Sequence, residues 1–296
     1  MGKTLALFLF VLLGGCQSFV YDGVFSSVDR FGPQSKPTGP FHEQYWLIPD
    51  PENHAVMAAT VWTPKGAGPY PLAVISHGSS QDPEERIEDP TPRYHTVFMW
   101  LLQHGYTVVL PVRLGHGRTG GPYLEDEGDC ADPDYFRAGR TTAASIEATI
   151  KYMIAQPFIS KDHVIVVGQS AGAWGALALA GLNPPALRGI IVFAPGRGGL
   201  ANGNPNLNCA PGQLVATAAE FGRTARIPTF WINAKNDSYF GPDLSQRMAN
   251  AYKAAGGQID YHLVDPVKDE GHFLFRYPEA VAIWSPLLEA FLSRLP

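Results

Sequence analysis

His163-Val164-Ile165-Val166-Val167-Gly168-Gln169-Ser170-Ala171-Gly172-Ala173-Trp174-Gly175 decides the fold of this 296-residue chain. An apolar, β-branched run leads into Gly-Gln-Ser-Ala-Gly, and an alanine-rich segment follows. β-Branched residues favour strands and alanine favours helices, so the stretch reads as strand, sharp turn, helix. Ser170 stands at the apex of the turn. Such a turn holds its serine in a strained backbone conformation and lifts the hydroxyl clear of neighbouring atoms. Only small residues fit two positions before and two after it, and both are glycines here. Ser170 is therefore a candidate nucleophile.

A hydroxyl nucleophile needs a base, and the base needs an orienting acid. After a turn of this kind the chain order is serine, acid, histidine. Residues 227–233 read as a buried strand, and Ala234-Lys235-Asn236-Asp237-Ser238 is the loop at its end. Residues 258–264 alternate as a later strand, which runs on toward Gly271-His272-Phe273. Asp237 and His272 thus fall on loops at strand ends, where a triad places its acid and base. Asp265 and Asp269 compete as acids, but both follow the last strand. His262 lies inside a strand pattern and reads as structural. Near the start of the core, residues 70–76 form a strand that ends in His77-Gly78-Ser79. The backbone amides of Ser79 and Ala171 are the candidate donors to a developing oxyanion.

These residues resemble the motifs of the α/β-hydrolase superfamily, in its dienelactone hydrolase-like and serine esterase branch. The resemblance spans residues 41–296. It rests on His77-Gly78, the glycine-rich loop at 113–121, the elbow at 168–172, Asp237, and Gly271-His272-Phe273. It implies an α/β fold: a mostly parallel, eight-stranded sheet with helices on both faces. The alternation of strand and helix patterns along the chain agrees. It also implies that Ser170 is the nucleophile, His272 the base and Asp237 the acid. Dienelactone hydrolases carry a cysteine at the elbow. The serine here counts against that particular substrate. The first reading is a serine hydrolase of carboxylic esters, acting through an acyl-enzyme, with a small-molecule ester as the substrate. A peptidase of the prolyl-oligopeptidase type is a second reading, although the chain has no room for the propeller domain of that family. A non-catalytic cell-envelope lipoprotein that retains the fold is a third.

Composition agrees with one large domain. With 45% hydrophobic residues the chain can bury a sizeable core, and a net charge of -5 without a basic stripe gives no footprint for nucleic acid. No cofactor is expected. The loop from Gly115 to Gly121 lacks the lysine of a phosphate-binding loop, and no cysteine–histidine spacing suggests a metal.

Lys3 precedes an apolar run over residues 4–13, which reads as a signal peptide covering 1–15. Leu13-Gly14-Gly15-Cys16 resembles a bacterial lipobox. That resemblance implies lipidation at Cys16, membrane attachment through the lipid, and, with Gln17 following, the outer membrane. Residues 16–40 then read as a tether and lead-in, rich in Gly and Pro.

Two loops, 113–134 and 195–211, follow strands at their carboxyl ends and are expected to shape a pocket. The first carries an acidic run from Glu125 to Asp134, read as a solvated face or as a repellent to anionic substrates. Export would place the domain in an oxidising compartment. With Cys16 lipidated, Cys130 and Cys209 remain as a pair, one in each loop. In the sheet order usual for α/β-hydrolases these loops flank the elbow strand, and a Cys130–Cys209 bond would tie them together.

Overall fold

The structure, a computed structural model, describes residues 31–296. The expected signal peptide, Cys16 and the lead-in up to residue 30 lie outside the described residues. Among the described residues no helix is long and apolar enough to cross a membrane.

Among the described residues nine strands form one sheet: β1 (Gly32–Pro33), β2 (Gln44–Asp50), β3 (Ala55–Trp62), β4 (Tyr70–Ser76), β5 (Thr107–Pro111), β6 (Ile159–Gln169), β7 (Leu187–Phe193), β8 (Thr229–Ala234) and β9 (Ile259–Val264). Their order is β1-β2-β3-β5-β4-β6-β7-β8-β9. The pairs β1–β2, β2–β3 and β3–β5 are antiparallel, and every pair from β5 through β9 is parallel. The sheet has one strand more than the eight expected. The addition, β1, is two residues in the lead-in, too short to show an alternating pattern.

Among the described residues seven α-helices accompany the sheet: α1 (Pro83–Arg86), α2 (His95–Gln103), α3 (Tyr135–Ile154), α4 (Ala171–Ala180), α5 (Pro211–Thr224), α6 (Pro242–Ala254) and α7 (Val281–Leu292). α3 to α6 pack on one face through residues such as Ile146, Trp174, Phe221 and Tyr252. α2 and α7 pack on the other through Leu101, Trp284 and Phe291. From Val164 onward β6 is buried on both sides: Val164 and Val166 point into one core, Ile165 and Val167 into the other. That is why its sequence is a continuous apolar run rather than an alternation. Every residue of α4 is buried, as a helix apolar all round must be.

The loops at the carboxyl edge are joined by buried charge. Arg113 follows β5, Arg197 follows β7, and Glu125 lies between them; all three are under 5% exposed. Arg113 grips Glu125 through Nε and through Nη2 at 3.1 Å, and Arg197 Nη2 meets Glu125 Oε2 at 2.7 Å. Burial works to raise the Glu125 pKa, but the two guanidiniums outweigh it and hold the carboxyl well below the usual range. The leading carboxylate of the acidic run is therefore an internal ion, neither solvated nor facing a substrate. Beside it, Cys130 and Cys209 are joined as a disulfide, with Cα atoms 4.6 Å apart.

Two imidazoles are buried at the same edge, their rings 4.8 Å apart edge to face. Burial, reinforced by Arg113, pushes the His77 pKa well down. Burial also lowers that of His116 to about 4, although Glu125 opposes it.

Two measurements check this edge. The Cys130–Cys209 bond closes a loop with a sequence separation of 79. On chain-entropy grounds a loop of this size stabilises the fold by about 4 kcal/mol. Urea unfolding of the oxidised protein and of C130S/C209S is expected to differ by an amount of that order; coincident midpoints would show that the bond adds nothing. The histidines set a pH dependence. An unfolded imidazole takes up its proton near pH 6.5, whereas the folded ones stay neutral until much lower. The unfolded state thus binds the extra protons as pH falls from about 6.5 to 4, and stability is lost in that direction, with no contribution above the window. The urea midpoint is expected to fall between pH 7 and 5, less steeply in H116Q. A flat midpoint contradicts the assignment.

Candidate active site

The elbow is set by close packing. Ser170 joins β6 to α4 with φ 53° and ψ -122°, a conformation that costs a serine about 1–3 kcal/mol. The flanking glycines permit it. A Cβ on Gly168 would lie 2.5 Å from Ala173 Cα, and one on Gly172 would lie 2.0 Å from the Ser76 carbonyl oxygen. The residue types that revealed the turn in the sequence are thus demanded by contacts in the fold.

Asp237 lies in the loop between β8 and α6, and His272 in a short 3-10 turn, Gly271–Arg276, after β9. Both are buried, and His272 Nδ1 stands 3.2 Å from Asp237 Oδ1 and 3.3 Å from Oδ2. Nδ1 therefore donates to the carboxylate, which leaves Nε2 as the acceptor. The Asp237 carboxylate is held from several sides. Oδ1 accepts the backbone N–H groups of Tyr239 and Phe240 at 2.8 and 2.9 Å, and Oδ2 accepts Asn233 Nδ2 at 3.2 Å. Tyr239 stacks on the His272 ring, centroids 4.0 Å apart and nearly parallel.

The competing acids lie elsewhere. Asp265 is exposed and pairs with Lys235 at 2.7 Å, and Asp269 is exposed. His262 is in β9 and packs on Phe230.

Ser170, His272, Ser79 and Ala171 line one cleft of about 400 Å³. Among the described residues no hydrogen bond joins Ser170 to His272; in unliganded sites such bonds are often long and tighten when substrate binds. The amides of Ser79 and Ala171 have no partner among the described residues either. Ala171 is the first residue of α4, so its N–H is one of the four that a helix leaves unsatisfied. The direction of the Ser79 amide is set by its own peptide. The Gly78 carbonyl of that peptide accepts His77 Nδ1–H at 2.7 Å, and in a trans peptide the N–H points the opposite way. His77 Nε2 in turn accepts the Arg113 N–H at 3.1 Å, which fixes the tautomer. The Gly78 N–H donates to Tyr94 Oη at 2.6 Å, and burial pushes that phenol up to about 12, so it stays a neutral donor to Gln169.

Sequence reasoning missed Glu270. Its Oε1 accepts the N–H groups of His272 and Ser238 at 2.8 and 3.1 Å, and Oε2 accepts the Ser238 hydroxyl. One carboxylate thereby clips the loop of Asp237 to the turn of His272. Its position two residues before His272, in a loop already carrying Asp265 and Asp269, gave no sign of this. Among the described residues no group of three or more His, Cys, Asp or Glu side chains is placed to hold a metal ion.

The sequence matches the profile described as the alpha/beta hydrolase family over residues 73–242. No curated protein matches it. Among solved structures, an esterase of Pyrococcus furiosus superposes with a TM-score of 0.62 at 18% identity, over 90% of this chain and 99% of its own. An S-formylglutathione hydrolase of Agrobacterium tumefaciens gives 0.59 at 17%, over 90% and 100%. A Klebsiella pneumoniae protein assigned as a dienelactone hydrolase gives 0.57 at 15%, over 84% and 98%. At such identities the likeness is one of fold. With the profile covering more than half of its length, the chain belongs to the alpha/beta hydrolase family.

Proposed function

We propose that the protein is a serine hydrolase of carboxylic esters that works through an acyl-enzyme. The observation that carries this reading is the convergence, in one cleft, of a strained serine, a carboxylate-oriented histidine and two unpartnered amides. Ser170 Oγ attacks the ester carbonyl carbon as its proton passes to His272 Nε2. The carbonyl electron pair moves to oxygen, where the Ser79 and Ala171 amides receive it. The tetrahedral species collapses, the bond to the alkoxy group breaks, and Nε2 returns the proton to the leaving oxygen as alcohol. Water then attacks the acyl-enzyme, gives its proton to Nε2, and Ser170 Oγ recovers that proton as the carboxylic acid leaves. Asp237 holds the tautomer and steadies the imidazolium formed in each half. No step calls for a metal or cofactor.

The N-terminal sequence extends the proposal to location. With residues 1–15 as a signal peptide and Cys16 lipidated, the catalytic domain would be tethered at the bacterial cell envelope, the outer membrane favoured.

The wild-type protein is expected to hydrolyse p-nitrophenyl esters in preference to aminoacyl anilides and to be labelled once by a fluorophosphonate. Folded S170A is expected to lose labelling and at least about 10⁴-fold in kcat. D237N is expected to lose about 10⁴-fold in kcat with little change in KM, because the wrong tautomer faces the serine. An active, folded S170A overturns the proposal; a mild D237N beside a damaging D265N or D269N overturns the choice of acid. For the location, expression with the native leader in a Gram-negative host is expected to place the protein in the membrane fraction, and C16S to release it. One acyl chain anchors only marginally, so mass spectrometry is expected to find several on Cys16. Recovery of mature protein with an unmodified Cys16 overturns it.

A further inference from the structure

Ser79 has a second role available, through its side chain. Its Oγ lies 2.9 Å from His116 Nε2 and 3.0 Å from Tyr123 Oη. The directions of these bonds follow from the two ends of the chain they form. At one end, His116 Nδ1 stands 3.2 Å from the Leu114 carbonyl oxygen, which can only accept. Nδ1 therefore bears the proton of the neutral ring, and Nε2 is an acceptor. The Ser79 hydroxyl must donate to it. At the other end, Arg197 Nη1 stands 3.2 Å from Tyr123 Oη, and a guanidinium can only donate. Tyr123 Oη accepts that proton and also stands as an acceptor toward Ser79, whose single hydroxyl proton is shared between His116 Nε2 and Tyr123 Oη. The Ser79 hydroxyl is thus a donor held between two acceptors, each fixed by its own partner, the Leu114 carbonyl or the Arg197 guanidinium.

Both flanking rings are fixed. Arg86 lies over the Tyr123 ring at 4.0 Å, and Tyr123 meets the His116 ring edge to face at 5.5 Å. Arg197 is itself anchored to Glu125, to the Glu125 carbonyl oxygen at 2.9 Å and to Thr142 Oγ1 at 2.7 Å. The hydroxyl of Ser79 is committed to His116 and Tyr123, so it cannot be the group that meets an oxyanion. It is an anchor for the residue whose amide does.

We propose that His116 and Tyr123 are positioning residues for the oxyanion: acting through the Ser79 hydroxyl, they hold the Ser79 amide aimed into the cleft. The inference rests on the esterase reading of the same site. A donor displaced by about 1 Å can cost on the order of 10²-fold in rate, so the anchor has a measurable consequence.

The test compares wild type, S79A, H116A, H116Q, Y123F and S79A/H116A. Each is assayed with p-nitrophenyl butyrate, normalised to sites titrated by a fluorophosphonate, and with an alkyl boronic acid as a mimic of the tetrahedral species. S79A keeps the amide and loses only the anchor. S79A and H116A are each expected to lose about 10- to 100-fold in kcat per titrated site, with KM within about twofold. Boronate affinity is expected to weaken by a similar factor. Y123F is expected to show a smaller loss, and H116Q, whose side-chain oxygen can take the same hydroxyl proton, to recover most of the rate. The double variant is expected to be no worse than S79A alone, because both changes remove one interaction. A merely structural role would lower the titratable fraction and leave kcat per site untouched. Wild-type kcat per site and boronate affinity in S79A overturn the proposal, as do additive losses in the double variant. An active S170A instead fails the esterase reading and takes this inference with it.

Discussion

The contact on which the site depends is the approach of Gly172 to the end of β4. No side chain can stand there, because a Cβ would meet the Ser76 and His77 carbonyl oxygens at 2.0 and 2.3 Å. The absence of one lets the first turn of α4 lie directly against the strand beside it. Three things then fall into place together. Ser170 is forced above the sheet, the unsatisfied amide of Ala171 is turned toward the cleft, and residues 77–79 pass beside it. The positive end of a fully buried helix points at the same spot, where negative charge is best received. The candidate nucleophile and the two amides proposed to receive an anion are thereby referenced to one steric contact rather than to separate loops.

The residues proposed as acid and base are fixed by a different means. Asp237 and His272 sit on connections after adjacent strands, β8 and β9, and connections need restraint before they can hold a catalytic geometry. Two carboxylates divide the work. Asp237 accepts the imidazole and is itself prevented from rotating by two backbone amides and Asn233. Glu270 gathers backbone and hydroxyl donors from both connections. Stacking by Tyr239 removes the remaining freedom of the imidazole plane.

How legible each part was in the sequence depends on whether its cause was local. The elbow was legible because its requirements lie within a few residues: an apolar strand, two glycines and a small-residue helix. That Asp237 and His272 would come together was legible from chain order and from their places after strand patterns. The buried ions were not. A row of acidic residues ordinarily marks a solvated face, and nothing adjacent to Glu125 distinguishes it from Asp126 or Asp129. Its partners, Arg113 and Arg197, come from two different strand ends that only the sheet order brings together. The one local sign was Arg113 itself, a cation directly after the wholly buried β5 and Val112, where a charge has to find a counter-ion. His77 and His116 were quoted for the loops they belong to, but their tautomers depend on which carbonyls and amides surround them.

The disulfide and the Arg113–Glu125–Arg197 cluster lie on the same pair of loops, one from each side of the elbow strand. A covalent bond and a desolvated ionic one in parallel leave that wall of the cleft with few soft modes. The neighbouring rim is built differently. Residues 80–90 contain only the single turn of α1, and side chains tie them to the same wall: Arg86 lies over Tyr123, and Asp89 pairs with Arg118 at 3.0 Å. Ile87 stands 74% exposed beside it. One part of the cleft wall is thus held by a covalent bond and buried ions, and the rim beside it by part-exposed side-chain contacts. A ligand that asks the cleft to change shape breaks the weaker bonds at that rim.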